Sequence, residues 1–341
     1  MRRRKLRVVV LMHPSLVPPE TIEGYSEQEL YEGKTEYDVV MTLRELGHQV
    51  TPLGVADELG PIRSVVDEWK PDIVFNLLEE FLGRQDFDYH VVSFLELMQV
   101  PYTGCRPRGL ILARDKALSK KLLAYHHLVT PKFAVFPRGR RVRRPKGLDF
   151  PLIVKSLAHE ASLGISQASI VDSDEKLRER VTFIHERHKG DAIAEQYIEG
   201  RELYVGILGN IRLQVLPVWE LMFENMPRGA VPIATASVKH NPDYQKRHGI
   251  FQGHADDLPA PLRDRIIKIS KRIARILDLD GYSRIDYRLD AEGRLHFLEA
   301  NPNPDIAMSE EFASAAEEAG RSYPELIQRI VALGLQRAAG G

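Results

Sequence analysis

Residues 281–305 read Gly-Tyr-Ser-Arg-Ile-Asp-Tyr-Arg-Leu-Asp-Ala-Glu-Gly-Arg-Leu-His-Phe-Leu-Glu-Ala-Asn-Pro-Asn-Pro-Asp. Apolar and polar residues alternate, the alternation breaks at Asp290 to Gly293, and then it resumes. That is the pattern of a strand, a tight turn and a second strand. A two- or four-residue loop pairs Leu289 with Arg294 and Arg284 with Glu299. Side chains alternate across each strand, so Arg284 and Asp286 share one face with Phe297, Glu299 and Asn301. Ile285, Tyr287 and Leu289 share the other face with Leu298 and Ala300, and this face is core. Asp286 and Glu299 then fall on a diagonal, about 7–8 Å apart at Cβ. Two carboxylates that close repel unless a cation or a proton sits between them. Oxygen-only ligands suit Mg²⁺ completed by phosphate oxygens and water, and the lack of His or Cys argues against zinc. The run Asn301-Pro302-Asn303-Pro304 ends the ladder and exposes backbone beside the carboxylates. Alone, the hairpin is equally readable as a strand pair with a charged solvent face.

Upstream of the hairpin, Pro261 to Leu277 carries Leu262, Ile266, Ile269, Ile273 and Ile276 at helical spacing. Strands are expected at Glu202 to Leu208 and Arg212 to Glu220, and a helix near Tyr323 to Arg337. Short strands at Phe133 to Phe136, Leu152 to Lys155 and Ala192 to Gln196, with a helix near Asp174 to Arg187, form a small α+β unit. The first hundred residues differ. Strands at Leu6 to Met12, Val50 to Leu53, Asp72 to Leu77 and Val100 to Gly104 alternate with helices at Glu36 to Leu46, Pro61 to Trp69 and Phe87 to Met98. Such alternation gives βαβ units and a parallel sheet. The fold class is therefore α/β and α+β, with units at 1–112, 113–200 and 201–341.

Lys plus Arg (47) balances Asp plus Glu (48), so no general attraction to nucleic acid or anionic lipid is expected. The basic segment Arg138 to Lys146 lacks the interleaved aromatics that base stacking needs and reads as a solvated loop. A single cysteine, Cys105, rules out an internal disulfide and suits a reducing compartment. The apolar run after Arg2-Arg3-Arg4-Lys5 stops at His13-Pro14, too short for a secretory segment, and no stretch reaches the ~20 apolar residues a membrane span needs. A soluble cytoplasmic protein is expected.

Other residues supply candidate phosphate binders. Lys116 opens a helix, and Lys155 ends a strand before a loop in which Ser162 and Gly164 can turn backbone N–H groups onto phosphate oxygens. The chain has neither a Walker A pattern nor Gly-x-Gly-x-x-Gly. Between the second and third units stands Glu195-Gln196-Tyr197-Ile198-Glu199-Gly200-Arg201-Glu202. A strand end there can read an adenine edge, and Glu202 can take ribose hydroxyls.

In this order, the elements resemble the ATP-grasp superfamily, specifically its D-alanine–D-alanine ligase-like branch. The likeness covers nearly the whole chain and is clearest at Val100 to Gly104, Asp115-Lys116, Ile153 to Lys155, Ser162 to Gly164, Glu195 to Glu202, Arg284 to Asp286 and Leu298 to Asn301. It implies ATP clamped between the central and C-terminal domains. Ile153 and Leu298 would be among the ATP-binding residues, with Lys116, Lys155 and Lys239 on its phosphates and Ser162 on a closing loop. Glu195, Gln196, Tyr197 and Ile198 would form the adenine hinge, with Glu202 on the ribose. Asp286, Glu299 and Asn301 would hold two Mg²⁺ ions, with Mn²⁺ an alternative, and Arg284 would stabilise the oxyanion. The implied reaction joins a carboxylate to an amine through an acyl phosphate. By analogy with the relatives, a homodimer is expected.

The departures from that pattern all fall around the substrates. The family's ammonium-holding Glu aligns near Tyr31, and the His-Gly after the third strand is replaced by Leu78-Glu79-Glu80-Phe81. Ala161 stands for a Ser, His240 for a Tyr and Asp305 for a Gly. The ATP and metal apparatus is kept while the amino-acid pockets have changed, so D-alanyl-D-alanine is not the expected product. Glu80 and Asp305 are candidate ammonium holders, and His13, at a strand's carboxyl end, is a candidate substrate residue. Two other readings remain open. One is phosphoryl transfer to a non-carboxylate oxygen, and the other is a nucleotide-binding module without turnover.

Overall fold

The computed structural model describes residues 4–19, 32–157, 165–227 and 229–340, without the side chains of residues 236, 240 and 242. The first elements are β1 (Arg7–Met12), α1 (Lys34–Glu45), β2 (Gln49–Gly54), α2 (Gly60–Trp69) and β3 (Ile73–Asn76). β1 lies between β2 and β3, parallel to both. Its apolar run is continuous because both faces are covered: Val9 and Leu11 enter one core, and Val8, Val10 and Met12 enter another.

The helices α3 (Asp88–Leu97), α4 (Pro107–Arg114) and α5 (Lys116–Tyr125) follow. The strand expected at Val100 to Gly104 is reduced to a single parallel bridge from Tyr102 to Val74. Pro101 contributes no N–H, and Gly104, at φ 88°, turns the chain out of the sheet. A side chain at Gly104 would collide with Asn303, whose Oδ1 accepts from the Cys105 amide at 2.7 Å. The N-terminal turn is thereby fastened to the end of the hairpin.

The central unit holds β4 (Phe133–Phe136), β5 (Leu152–Ser156), β6 (Ile170–Val171), α6 (Asp174–Arg187) and β7 (Ala192–Gln196). Its antiparallel sheet runs β4-β7-β5-β6. Val154 and Ala194 on the sheet meet Val181 and Ile184 on α6 in a core confined to this unit. Segment 138–146 connects β4 to β5, and its arginines are largely exposed, as expected.

Then come β8 (Arg201–Leu208), β9 (Gln214–Val215), β10 (Trp219–Phe223), α7 (Ala236–His240), α8 (Pro242–His248) and β11 (Ile250–His254). They are followed by α9 (Ala260–Ile276), β12 (Tyr282–Leu289), β13 (Leu295–Pro302), α10 (Glu311–Glu318) and α11 (Tyr323–Ala339). The single strand expected at Arg212 to Glu220 is split into β9 and β10 around Pro217, which cannot donate to a ladder. The sheet order is β11-β10-β8-β12-β13, with β9 on β8.

Two cores join this sheet to the parallel one. Val9 and Val74 share a core with Leu203, Ile285 and Tyr287, and Val10 and Phe75 share another with Tyr282, Phe312 and Ile327. Among the described residues, no helix is long and apolar enough to cross a membrane.

Candidate active site

The β12–β13 hairpin has its polar face where expected, but its register differs. Leu289 pairs with Leu295, Asp286 with Glu299 and Arg284 with Asn301. Two local features cause the slip. Asp290 accepts hydrogen bonds from the Glu292 and Arg294 amides at 3.1 and 2.8 Å, building a turn one residue longer than assumed. A bulge then leaves Leu298 without a partner between the Asp286 and Tyr287 pairs. Phe297 consequently enters the core beside Tyr287, and Leu298 faces the cleft with Glu299, the reverse of the expected faces.

Arg284 grips Asp286 with two guanidinium nitrogens, at 2.7 and 3.0 Å, and also pairs with Glu311. Asn301 Nδ2 donates to Asp286 at 3.1 Å. Burial pushes the Asp286 carboxyl upward, against the pull of Arg284. For Glu299 the balance is opposite: burial is outweighed by Lys116, Lys155, Lys239 and Lys120, which hold it below the usual carboxylate range.

Lys116 opens α5 behind its cap Asp115, whose carboxylate accepts from the Ala117 and Leu118 amides at 2.9 Å. Its Nζ lies 3.8 Å from Glu299. One turn along α5, Lys120 is buried 3.2 Å from Glu195 and donates to the Leu298 carbonyl that the bulge exposes. Lys155 approaches the other Glu195 oxygen at 3.3 Å. Burial lowers Lys120 to about 8 despite Glu195. Glu195 itself stays below the usual range because the two lysines outweigh its burial. Lys120 was not anticipated from the sequence. Its i, i+4 relation to Lys116, which puts both on one face of the helix, is the signal that could have found it.

The remaining nucleotide candidates line the same cleft. Ile153 and Leu298 form apolar walls with Ile165 and Ile233, and Gln196, Tyr197 and Ile198 run along the edge. The Gln196 and Tyr197 amides bond to the Lys132 and Pro151 carbonyls at 2.8 and 2.9 Å, which fixes this segment. Glu202 accepts from Tyr204 at 2.9 Å and from Arg288 at 2.7 Å. Arg288, also unanticipated, donates further to the Gly200 and Pro232 carbonyls at 2.7 and 2.6 Å. Lys239 lies where the cleft meets a second cavity. Ser162, like Ala161 and Tyr31, lies outside the described residues; so does the side chain of His240, whose backbone ends α7.

The second cavity has a volume of about 460 Å³. Arg284, Lys239 and Asn301 line it together with Glu79, Asp305 and Glu310. Asp305 lines the cavity, accepting from Thr35 Oγ1 at 2.7 Å and the Ala307 amide at 2.9 Å. Two other substrate candidates need correction. Glu80 is off the wall, 3.9 Å from His13 and partly exposed, while Glu79 takes the wall position. The His13 ring caps a short turn through Ser15 instead of lining the cavity. After β3 the chain has left the sheet, so alternation no longer decides which neighbour faces inward.

A family model described as D-ala D-ala ligase C-terminus matches residues 122–332. The D-alanine–D-alanine ligase of Aquifex aeolicus is 30% identical over 326 residues, covering 96% of this chain and all of that protein. The chain belongs to the D-alanine–D-alanine ligase family. An uncharacterized Sinorhizobium fredii protein, y4sG, is 33% identical over 316 residues, covering 91% of this chain and 90% of that one. The Bacillus anthracis D-alanine–D-alanine ligase, solved complexed with ATP, superposes with a TM-score of 0.76 at 21% identity, covering 98% of this chain and 99% of that one. The ATP-grasp architecture expected from the sequence is thus the one found. This member of the D-alanine–D-alanine ligase family is a ligase that forms carbon–nitrogen bonds.

Proposed function

We propose that the chain uses ATP to activate a carboxylate as an acyl phosphate and joins it to an amine, and that the product is not D-alanyl-D-alanine. The observation that carries this reading is the common face of Arg284, Asp286, Glu299 and Asn301, opposite Lys116 and Lys155 and opening on a separate cavity. In this reading the domains are 1–112, 113–200 and 201–341, with the nucleotide between the last two. The protein works in the cytoplasm on small molecules, as a homodimer by analogy with its relatives.

Ile153 and Leu298 would flank the base, and Glu195 to Ile198 would form its hinge. Glu202, already oriented by Arg288 and Tyr204, would meet the ribose. Lys116, Lys155, Lys239 and Ser162 would hold phosphates. Asp286, Glu299 and Asn301 fit two Mg²⁺ ions, with Mn²⁺ a substitute. Their donors are all oxygen, and among the described residues no group of three His, Cys, Asp or Glu competes as a metal site. When bound, the ions neutralise charge on the transferring phosphoryl group. Arg284, held by Asp286 and Glu311, offers fixed positive charge where the tetrahedral oxyanion develops.

The case against D-alanine rests on Glu79 and Asp305, two carboxylates on the cavity wall where the family pattern has a His-Gly and a Gly. The test is ADP release with paired carboxylates and amines, D-alanine included, and mass spectrometry of the product. An amide, with no turnover on D-alanine alone, supports the reading. D-alanyl-D-alanine removes the exclusion, and a stable phosphate ester identifies the alternative phosphoryl transfer.

A further inference from the structure

Resting on the ligase reading of the cleft, a further role falls to Arg288. This residue of β12 is buried, yet it lines the nucleotide cleft. One terminal nitrogen donates to the Gly200 carbonyl at 2.7 Å. The other donates both to the Glu202 carboxylate at 2.7 Å and to the Pro232 carbonyl at 2.6 Å. A guanidinium can serve three acceptors at once because it is a rigid fork of donors. The Tyr197 ring centroid lies 5.7 Å from it. A side chain at Gly200 would collide with the Leu289 carbonyl, so the hinge backbone runs close against β12. Lys155 also feels the Glu202 charge, from beyond contact distance, but pairs with Glu195 at 3.3 Å.

Pro232 belongs to a strap, residues 231–235, that leads into α7. Ile233 and Ala234 of the strap line the cleft. The central unit holds the strap as well: Gln167 donates to the Val231 carbonyl at 3.0 Å and accepts from the Val231 amide at 2.8 Å. The Thr235 amide donates to the Ile233 carbonyl at 2.9 Å, and the Lys239 amide donates to the Thr235 carbonyl at 3.0 Å. The Thr235 hydroxyl caps α7 by accepting from the Val238 amide at 3.2 Å. Whatever fixes Pro232 therefore fixes the backbone from which Lys239 reaches the cleft.

We infer that Arg288 is a positioning residue that joins two events, the meeting of Glu202 with the ribose and the seating of the strap that carries Lys239. A single nitrogen serves both Glu202 and Pro232, so a shift at one contact is felt at the other. A buried carboxylate depends on its cation, and here that cation also holds the strap. Two contacts linked in this way strengthen one another reciprocally. A nucleotide without ribose hydroxyls therefore seats the strap less firmly, and without Arg288 the sugar no longer matters to the strap.

The experiment combines calorimetry with hydrogen exchange of residues 231–240 on the full chain, using ADP and 2′,3′-dideoxyADP with Mg²⁺. The wild type should bind ADP about tenfold more tightly, the worth of a hydrogen bond to a charged group. With both nucleotides at saturation, ADP should also slow exchange of the strap several-fold more. Arg288→Met should erase both differences, whereas a merely structural role would weaken both nucleotides alike and leave their ratio. Arg288→Lys, which keeps the charge without the fork, should keep part of the affinity difference and lose the exchange difference. Should Arg288→Met fail to fold, the wild-type comparison and Arg288→Lys carry the test. Equal strap exchange with the two nucleotides in the wild type overturns the inference, as does an undiminished affinity ratio in Arg288→Met or an undiminished exchange difference in Arg288→Lys. Absence of ADP binding to the wild type would instead strike the ligase reading.

Discussion

Asp286 lies directly across the hairpin from Glu299, and their surroundings push the two carboxyls in opposite directions. Asp286 is buried and held by Arg284, whereas Glu299 is drawn into the charged form by the lysines around it. Glu299 thus stays ionised where a divalent cation would need it. Glu299→Gln should weaken Mg²⁺-dependent ATP binding by about 10–100-fold while leaving the Arg284–Asp286–Glu311 pairing intact. Calorimetry with and without Mg²⁺ checks it, and an affinity that stays Mg²⁺-dependent and unchanged would remove Glu299 from the metal set.

The buried Lys120–Glu195–Lys155 cluster sets up a graded comparison. Glu195→Gln leaves two buried ammonium groups without their carboxylate and should cost about 3–5 kcal/mol. Lys120→Met leaves Glu195 its pair with Lys155 and should cost clearly less. Urea unfolding of both variants measures the order, and the reverse order would mean that Lys120 carries the cluster.

The bulge at Leu298 separates two neighbours by role. Phe297→Ala empties a core position and should destabilise by about 3–5 kcal/mol. Leu298→Ala should change stability far less but lower ATP affinity several-fold, through lost apolar contact with the base. Paired denaturation and nucleotide titrations distinguish them. Equal effects of both changes on binding would contradict the faces assigned by the bulge.

Glu36 predicts a pH dependence. Burial, reinforced by Glu79 and Asp305 against its own amide, raises its carboxyl from 4.5 to about 8. The unfolded chain loses this proton near its ordinary value, while the folded chain keeps it until pH 8. Stability from this group is therefore full below about pH 4.5 and declines as pH rises through 8. Glu36→Gln should flatten that decline and raise Tm at pH 9 by about 4 °C. Scanning calorimetry from pH 5 to 9 reads both, and parallel Tm profiles for the two proteins would show that Glu36 does not titrate in this range.

The hairpin shows how far alternation carries. Arg284, Asp286, Glu299 and Asn301 could be put on one face from period two alone. Their pairing could not, because Asp290 lengthens the turn and Leu298 bulges, and neither event leaves a periodic mark. Lys120 and Lys121 look alike in sequence; packing of α5 against β13 and β7 buries one and exposes the other. Glu79 and Glu80 are indistinguishable by type, and the turn after β3 decides which reaches the cavity. Arg288 reads as an ordinary strand residue until the fold brings Gly200, Glu202 and Pro232 around it.

The two cores running from the parallel sheet into the six-stranded one have a mechanical consequence, since the four-stranded sheet shares neither. The cores divide the molecule into one heavy jaw and one light jaw, as in a vice. Lys120 is rooted with α5 on the heavy jaw and grips Glu195 on the other, so it is a catch: prising the vice apart must break that charged clasp.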